Sequence, residues 1–330
     1  MRGLLEIKEW HSSVNNLIDN AVGPTAVKSP QRAFEFRFRM WKQGGGLPGS
    51  NDFDFMTKGL SESPSTEDER EFLFRSACAH WRKASRSIFA RWNTDNLLRC
   101  AQVVVDDRSL DYAHTDTVAE SHPARKAMDI LAATDEYRSS KESEKVAKFF
   151  LELLKSGRLK SLFHTILDDL ARLQCFKQKN SKWRKEVSIV LMDLMDARLP
   201  KANRDSRKQI GKLLEKLSPE KCGDDSEEVA KFVRKVAQVP VLVENAVILL
   251  GCMNTPFAND AFIEILQELK ENDIEKFAWV APWAVGLKGK RRRQSVVDYL
   301  KEIESTSSVE VKTIIGQICQ KYEDSSKRKS

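Results

Sequence analysis

The stretch SEKVAKFFLELLKSG, Ser143–Gly157, decides how the chain folds. Val146, Phe149, Phe150, Leu153 and Leu154 recur at i, i+3, i+4, i+7 and i+8. That spacing puts them on one face of an α-helix. Ser143 stands where an N-cap belongs and Gly157 where a helix stops. A single apolar stripe of this width must be buried against neighbouring elements.

The same pattern repeats toward the C-terminus. Leu159, Leu162, Phe163, Ile166, Leu167 and Leu170 form one stripe, and Val187, Val190, Leu191, Leu194 and Met195 the next. Ile210, Leu213, Leu214 and Leu217 follow, then Val229, Phe232, Val233 and Val236. Phe262, Ile265, Leu266 and Leu269 continue the series, and Val311, Ile314, Ile315, Ile318 and Tyr322 close it. Pro200, Pro219, Gly223, Pro240, Pro256 and Gly289 fall between stripes, where proline and glycine end one helix or open the next. Short connections imply antiparallel neighbours. The pattern therefore predicts about five helical hairpins, starting near Ser143, Trp183, Ser226, Pro256 and Lys290. A loose repeat of this size suggests stacked helix pairs.

Residues 241–322 carry a resemblance. ENAVILLGCM, APWAVGLKG and VKTIIGQICQKY look like successive second helices, with Gly251, Gly286 and Gly316 at matching places. AFIEILQELKEN and SVVDYLKEIEST look like successive first helices. The segment resembles HEAT or armadillo-like helical repeats, without their usual Asp and Arg ladder and with an irregular period. The resemblance implies an all-α fold built as a right-handed α-solenoid-like array, and a scaffold that binds protein or nucleic acid. It also brings in the HEAT-like alkylpurine DNA glycosylases. Asp193, Asp196, Trp183, Trp279 and Trp283 are of the residue types a base-binding pocket uses, but no motif maps them onto that family.

The N-terminal part reads as an irregular helical region over residues 1–140. Leu4, Leu5, Trp10, Val14, Leu17 and Ile18 predict an amphipathic helix within residues 1–20. AFEFRFRMW, Ala33–Trp41, alternates apolar and polar residues as a strand does. Gln43–Thr66, with its GGGLPGS, reads as a flexible loop. The glycines lack the Gly-Lys-Ser/Thr ending of a phosphate loop. Helices are expected from Glu67 to Trp92, Thr94 to Val105 and Val118 to Tyr137. A polar run near residue 140 marks a candidate hinge before a repeat domain over 141–323, and residues 324–330 form a basic tail.

The composition is that of a globular chain, 41% hydrophobic and 31% charged, with a net charge of +7 that favours acidic partners. No run approaches 18 apolar residues, and the N-terminus has no apolar signal core, so no membrane insertion and an intracellular location, cytoplasmic or nuclear, are expected. Six well-separated cysteines without a CxxC read as free thiols. Asp106–His122 gathers carboxylates and two histidines, but a polar turn uses the same letters. His164, inside an apolar helix, reads as a hydrogen-bonded edge residue. No nucleophile elbow, HExxH or kinase signature is present. No catalytic residue, metal ligand or cofactor is therefore assigned, although carboxylate and tryptophan sites leave no linear motif.

Basic clusters carry the functional signal. One, over residues 172–185, holds Arg172, Lys177, Lys179, Lys182, Arg184 and Lys185 beside Trp183. A second, over residues 198–212, holds Arg198, Lys201, Arg204, Arg207, Lys208 and Lys212, and a third, over 288–293, holds Lys288, Lys290, Arg291, Arg292 and Arg293. Aligned on one ridge, they would attract a phosphate backbone, with Trp183 available for stacking. A fourth run, His80–Trp92, mixes Arg82, Lys83, Arg86 and Arg91 with Trp81 and Trp92, and within it Trp81, Ile88 and Phe89 read as core. Solvated helix ends explain the same cations. Arg292-Arg293-Gln294-Ser295 also has the form of a phosphorylation site at Ser295. Two partners thus compete, a protein held on a curved helical surface and a nucleic acid held on basic patches.

Overall fold

Ser139, four residues before the expected cap, starts the decisive helix. Its hydroxyl accepts from the Glu142 amide while the Glu142 carboxylate takes the Ser139 amide, a reciprocal capping box. Ser143 lies inside the helix, and its buried hydroxyl donates to Asp135 instead. The computed structural model describes residues 29–58, 60, 64–80, 86–107, 122–156, 162–177, 182–199, 204–287 and 289–327. Among them every regular element is helical, and no strand occurs. No described helix is long and apolar enough to cross a membrane. The predicted helix within residues 1–20 lies outside the described residues.

Contacts divide the chain into two units, 1–177 and 178–330. In the first unit the helices are α1 (Pro30–Lys42), α2 (Ser50–Thr57), α3 (Glu67–His80), α4 (Arg86–Phe89), α5 (Thr94–Asp106), α6 (Pro123–Thr134), α7 (Ser140–Ser156), α8 (Phe163–Arg172) and α9 (Gln174–Lys177). The centre is α6, which packs against α3, α4, α5 and α8. Its small residues Ala124, Ala127, Ala132 and Ala133 are buried and let those neighbours come close.

Three N-terminal expectations change. Ala33–Trp41 is helical, not a strand, because Ser29 caps α1 through the Arg32 amide and Pro30 presets its first turn. The alternating aromatics also satisfy helical spacing. Phe34 and Phe38 stack at 6.1 Å and, with Trp41, surround Phe72 of α3. Second, the stretch read as one loop over 43–66 contains α2, which buries Phe53 and Met56 one turn apart. Gly44, at φ +86°, supplies the left-handed step that ends α1. Third, the polar run near 140 is not a hinge. Arg138 is buried, and its guanidinium donates to Thr94 Oγ1 (2.6 Å) and to the carbonyls of Trp92 and Phe89 (3.3 Å each). Asp135 in turn accepts from Ser143 and from the Gln174 amide.

The second unit comprises α10 (Lys182–Asp196), α11 (Arg204–Lys216), α12 (Glu227–Ala237), α13 (Val243–Cys252), α14 (Pro256–Asn272), α15 (Ile274–Val280) with a 3-10 turn (Ala281–Gly286), α16 (Lys290–Glu304) and α17 (Val309–Lys327). Each helix packs on its successor in the pairs α10–α11, α12–α13, α14–α15 and α16–α17. Alternate helices also touch: α10 with α12, α12 with α14, α14 with α16, and α11 with α13. APWAVG is a 3-10 turn rather than a full helix, since Pro282 removes a backbone donor. The helix α17 continues to Lys327, through the first residues of the expected tail.

Candidate functional site

The helix α13 is apolar on nearly every side, yet one strip of it faces out. Leu242, Val243, Ala246, Val247, Leu249 and Leu250 are buried. Val241, just before the helix, is 53% exposed and Ile248 is 38% exposed. Asn245, Ile248 and Cys252 fall at i, i+3 and i+7, one line along the helix, and Val241 precedes that line in the turn before it. Opposite lies α11. Its Gly211 faces Asn245, and a Cβ there would stand 3.4 Å from the Asn245 amide, in ordinary contact.

Between α11 and α13 runs a groove of about 990 Å³. Lys208, Lys212 and Glu215 of α11 line one side. The strip from Val241 to Cys252 lines the other, and Glu220 and Lys221 of the intervening turn also contribute. The three lysines are exposed and make no ion pair with another described residue. The wall of α13 is therefore mainly apolar, and that of α11 carries two lysines one turn apart, Lys208 and Lys212, before Glu215. Outside this groove, Trp279 and Trp283 are 45% and 39% exposed with ring centroids 6.4 Å apart.

The sequence-predicted cations have divided roles. Lys177, Lys182, Lys185, Lys208 and Arg291 are exposed. Lys182 Nζ lies 5.0 Å from the centroid of the Trp183 ring. Trp183 itself is buried at 8% exposure, so it is part of the core rather than a stacking platform. Arg184 donates to the carbonyls of Pro219 (2.6 Å) and Gly223 (3.2 Å), holding the turn before α12. Arg292 is buried and donates to the carbonyls of Met253 and Leu250 at the end of α13. Arg293 donates to Leu287 O at 3.1 Å. These three arginines fasten backbone. Lys179 and the side chains of Arg204, Arg207 and Lys290 lie outside the described residues. Ser295 is exposed but sits in the second turn of α16, beyond the free amides of the first.

The residue types singled out for other chemistry are placed as follows. Asp196 pairs with Lys235 at 2.5 Å. His122 is buried and caps α6 by accepting from the Ala124 amide. Asp107 pairs with Arg75, and Asp106 accepts from Gln102. Residues 108–121 of that polar run lie outside the described residues, as do Trp81 and Arg82. No metal-sized cluster of His, Cys, Asp or Glu occurs among the described residues. Phe89 is core, as its reading predicted, and Trp92, read as part of the basic run, is buried as well. All six cysteines are free, five of them buried and Cys252 half-buried in the groove.

One buried acid was missed by sequence reading. Asp169 of α8 is 3% exposed, with one oxygen taking the Arg172 guanidinium at 3.0 Å and the other lacking a partner. Burial, reinforced by Asp129, pushes its carboxyl from 3.8 up to about 7 despite Arg172. The folded state thus holds this proton longer than the unfolded chain does. Its stabilising share is full below about pH 4, declines as pH rises and is gone above about pH 7. Asp169→Asn is expected to stabilise the protein by roughly 2 kcal/mol at pH 8 and to flatten that slope. Urea unfolding from pH 4 to 8 checks this. An unchanged slope would place the penalty elsewhere.

Compared with family models, curated proteins and solved structures, the chain matches none.

Proposed function

We propose that residues 182–327 form a HEAT-like array of antiparallel helix pairs and that the protein is a non-enzymatic scaffold holding a partner protein along its second helices. The contact order supports the array. First helices α10, α12, α14 and α16 touch in sequence, while α11 touches α13, and the 3-10 turn after α15 touches both α13 and α17. Arg184 and Arg292, each the third residue of a first helix, brace turns between pairs, where the sequence lacks the family ladder. The carrying observation is the outward strip of α13. Val241, just before the helix, and Ile248 on it stay exposed beside a largely buried apolar helix, along a groove with an apolar wall and a charged one. Six free thiols accord with an intracellular, reducing setting.

A nucleic acid is the second reading, favoured by exposed Lys185, Lys208, Lys212 and Arg291. In an antiparallel array, however, residues 182–185 and 290–293 open first helices, whereas 204–208 opens a second helix. Those patches then belong to opposite edges, and two arginines of the third are bonded to carbonyls.

The test compares the wild-type protein with a Val241→Glu/Ile248→Glu variant in crosslinking from cells, alongside binding of DNA and RNA across salt. Partners lost at least tenfold in the variant, with an unchanged thermal midpoint, are expected. An unchanged partner set, together with tight nucleic-acid binding that falls steeply with salt, would replace the scaffold reading with the second one.

A further inference from the structure

The groove has a directional chemistry that points to one kind of occupant. Val241 stands in the turn just before α13 and Ile248 in the second turn of the helix, both exposed on the same wall of the groove. A helix laid beside α13 presents apolar residues along one face at i, i+3 or i+4, and i+7, a stripe that covers such a wall. Between Val241 and Ile248 stands Asn245, whose amide makes no hydrogen bond with a described residue and faces the groove. On the α11 side, Lys208 and Lys212 lie one turn apart and exposed, without an ion pair to another described residue. Glu215 follows in the next turn, so the positive charge is concentrated at the first part of this wall.

Resting on the scaffold reading, we infer that the groove between α11 and α13 takes an acidic amphipathic helix of the partner. Its apolar stripe sits on Val241 and Ile248. Carboxylates on the flank meet Lys208 and Lys212. A basic helix would place its cations against these lysines and lose the electrostatic match. A bare phosphate backbone would satisfy the lysines but leave the apolar strip in water. Complementarity thus selects an occupant that is both apolar and acidic, about two to three turns long.

Cys252 supplies the measurement, because it lines the groove while the other five cysteines are buried. The rate of its alkylation by a small maleimide, read by mass spectrometry, reports occupancy without blocking the site. Three probes are compared: a 16-residue helical peptide with leucines at i, i+3, i+7 and i+10 flanked by glutamates, the same peptide with lysines for glutamates, and a single-stranded DNA oligonucleotide. The acidic peptide is expected to slow alkylation at least tenfold, at concentrations where the basic peptide has no effect. Ile248→Glu and, separately, Lys208→Glu/Lys212→Glu should each weaken that protection about tenfold. Equal protection by the basic peptide, or protection indifferent to both variants, overturns the assignment. If the acidic peptide fails while cellular partners are still lost in the Val241→Glu/Ile248→Glu variant, the scaffold reading stands and only the occupant is wrong. Protection by DNA alone, abolished by salt, removes both.

Discussion

Arg292→Ala lowers the stability of the protein by about 3 kcal/mol, whereas Arg291→Ala, one residue earlier in the same basic run, changes it by less than about 0.5 kcal/mol. The difference follows from where α13 ends. Its chain continues through Met253-Asn254-Thr255-Pro256 with no glycine to supply a left-handed cap. The carbonyls of Leu250 and Met253 therefore need another donor, and the Arg292 guanidinium reaches both from α16. Burial lowers the pKa of Arg292 and Asp225 partly counters it, so the gain is smaller than two charged hydrogen bonds in isolation would suggest. Alanine removes both donors and leaves two buried acceptors unmatched. Differential scanning calorimetry should show the thermal midpoint falling by roughly 8 °C for Arg292→Ala. Lysine should rescue little, because a single ammonium does not reproduce the planar fork. Equal midpoints for the Arg291 and Arg292 variants would mean that the two carbonyl contacts contribute nothing.

Arg138→Met is the second large effect, again about 3 kcal/mol. This guanidinium joins three parts of the first unit. It donates to Thr94 Oγ1 at the start of α5, to the carbonyls of Phe89 and Trp92 in the turn before it, and to Thr134 Oγ1 at the end of α6 (3.4 Å). Its charge is compensated through space by Glu142 and Asp135. Methionine fills a similar volume, so the loss reports the hydrogen bonds rather than a cavity. Hydrogen exchange at residues 89–97 should accelerate at least tenfold, along with a lower urea midpoint. Exchange unchanged in that turn would show that the turn is held by packing of Phe89 and Trp92 alone.

Helix by helix, the sequence was most legible where one side of an element is buried. The starts read at Trp183, Ser226, Pro256 and Lys290 fall within one residue of α10, α12, α14 and α16. It was least legible at Ala33–Trp41, where two periods fit the same aromatics and the deciding signal was the Ser29-Pro30 cap. Cations were also ambiguous. Arg291 and Arg292 are identical letters, yet one is exposed and the other 7% exposed against the end of α13. Linear charge density records neither which face of α16 is turned inward nor which carbonyls lack partners.

By itself, then, the sequence determined the mainly helical character, the starts of α10, α12, α14 and α16 and the core stripes, because 3.6-residue periodicity and capping are local properties. The tertiary structure alone decided which arginines brace carbonyls, how burial raises the Asp169 carboxyl, and that Val241 and Ile248 face outward beside Lys208 and Lys212. Those outcomes depend on which helices meet and how closely, and the contacts that set them join residues tens of positions apart.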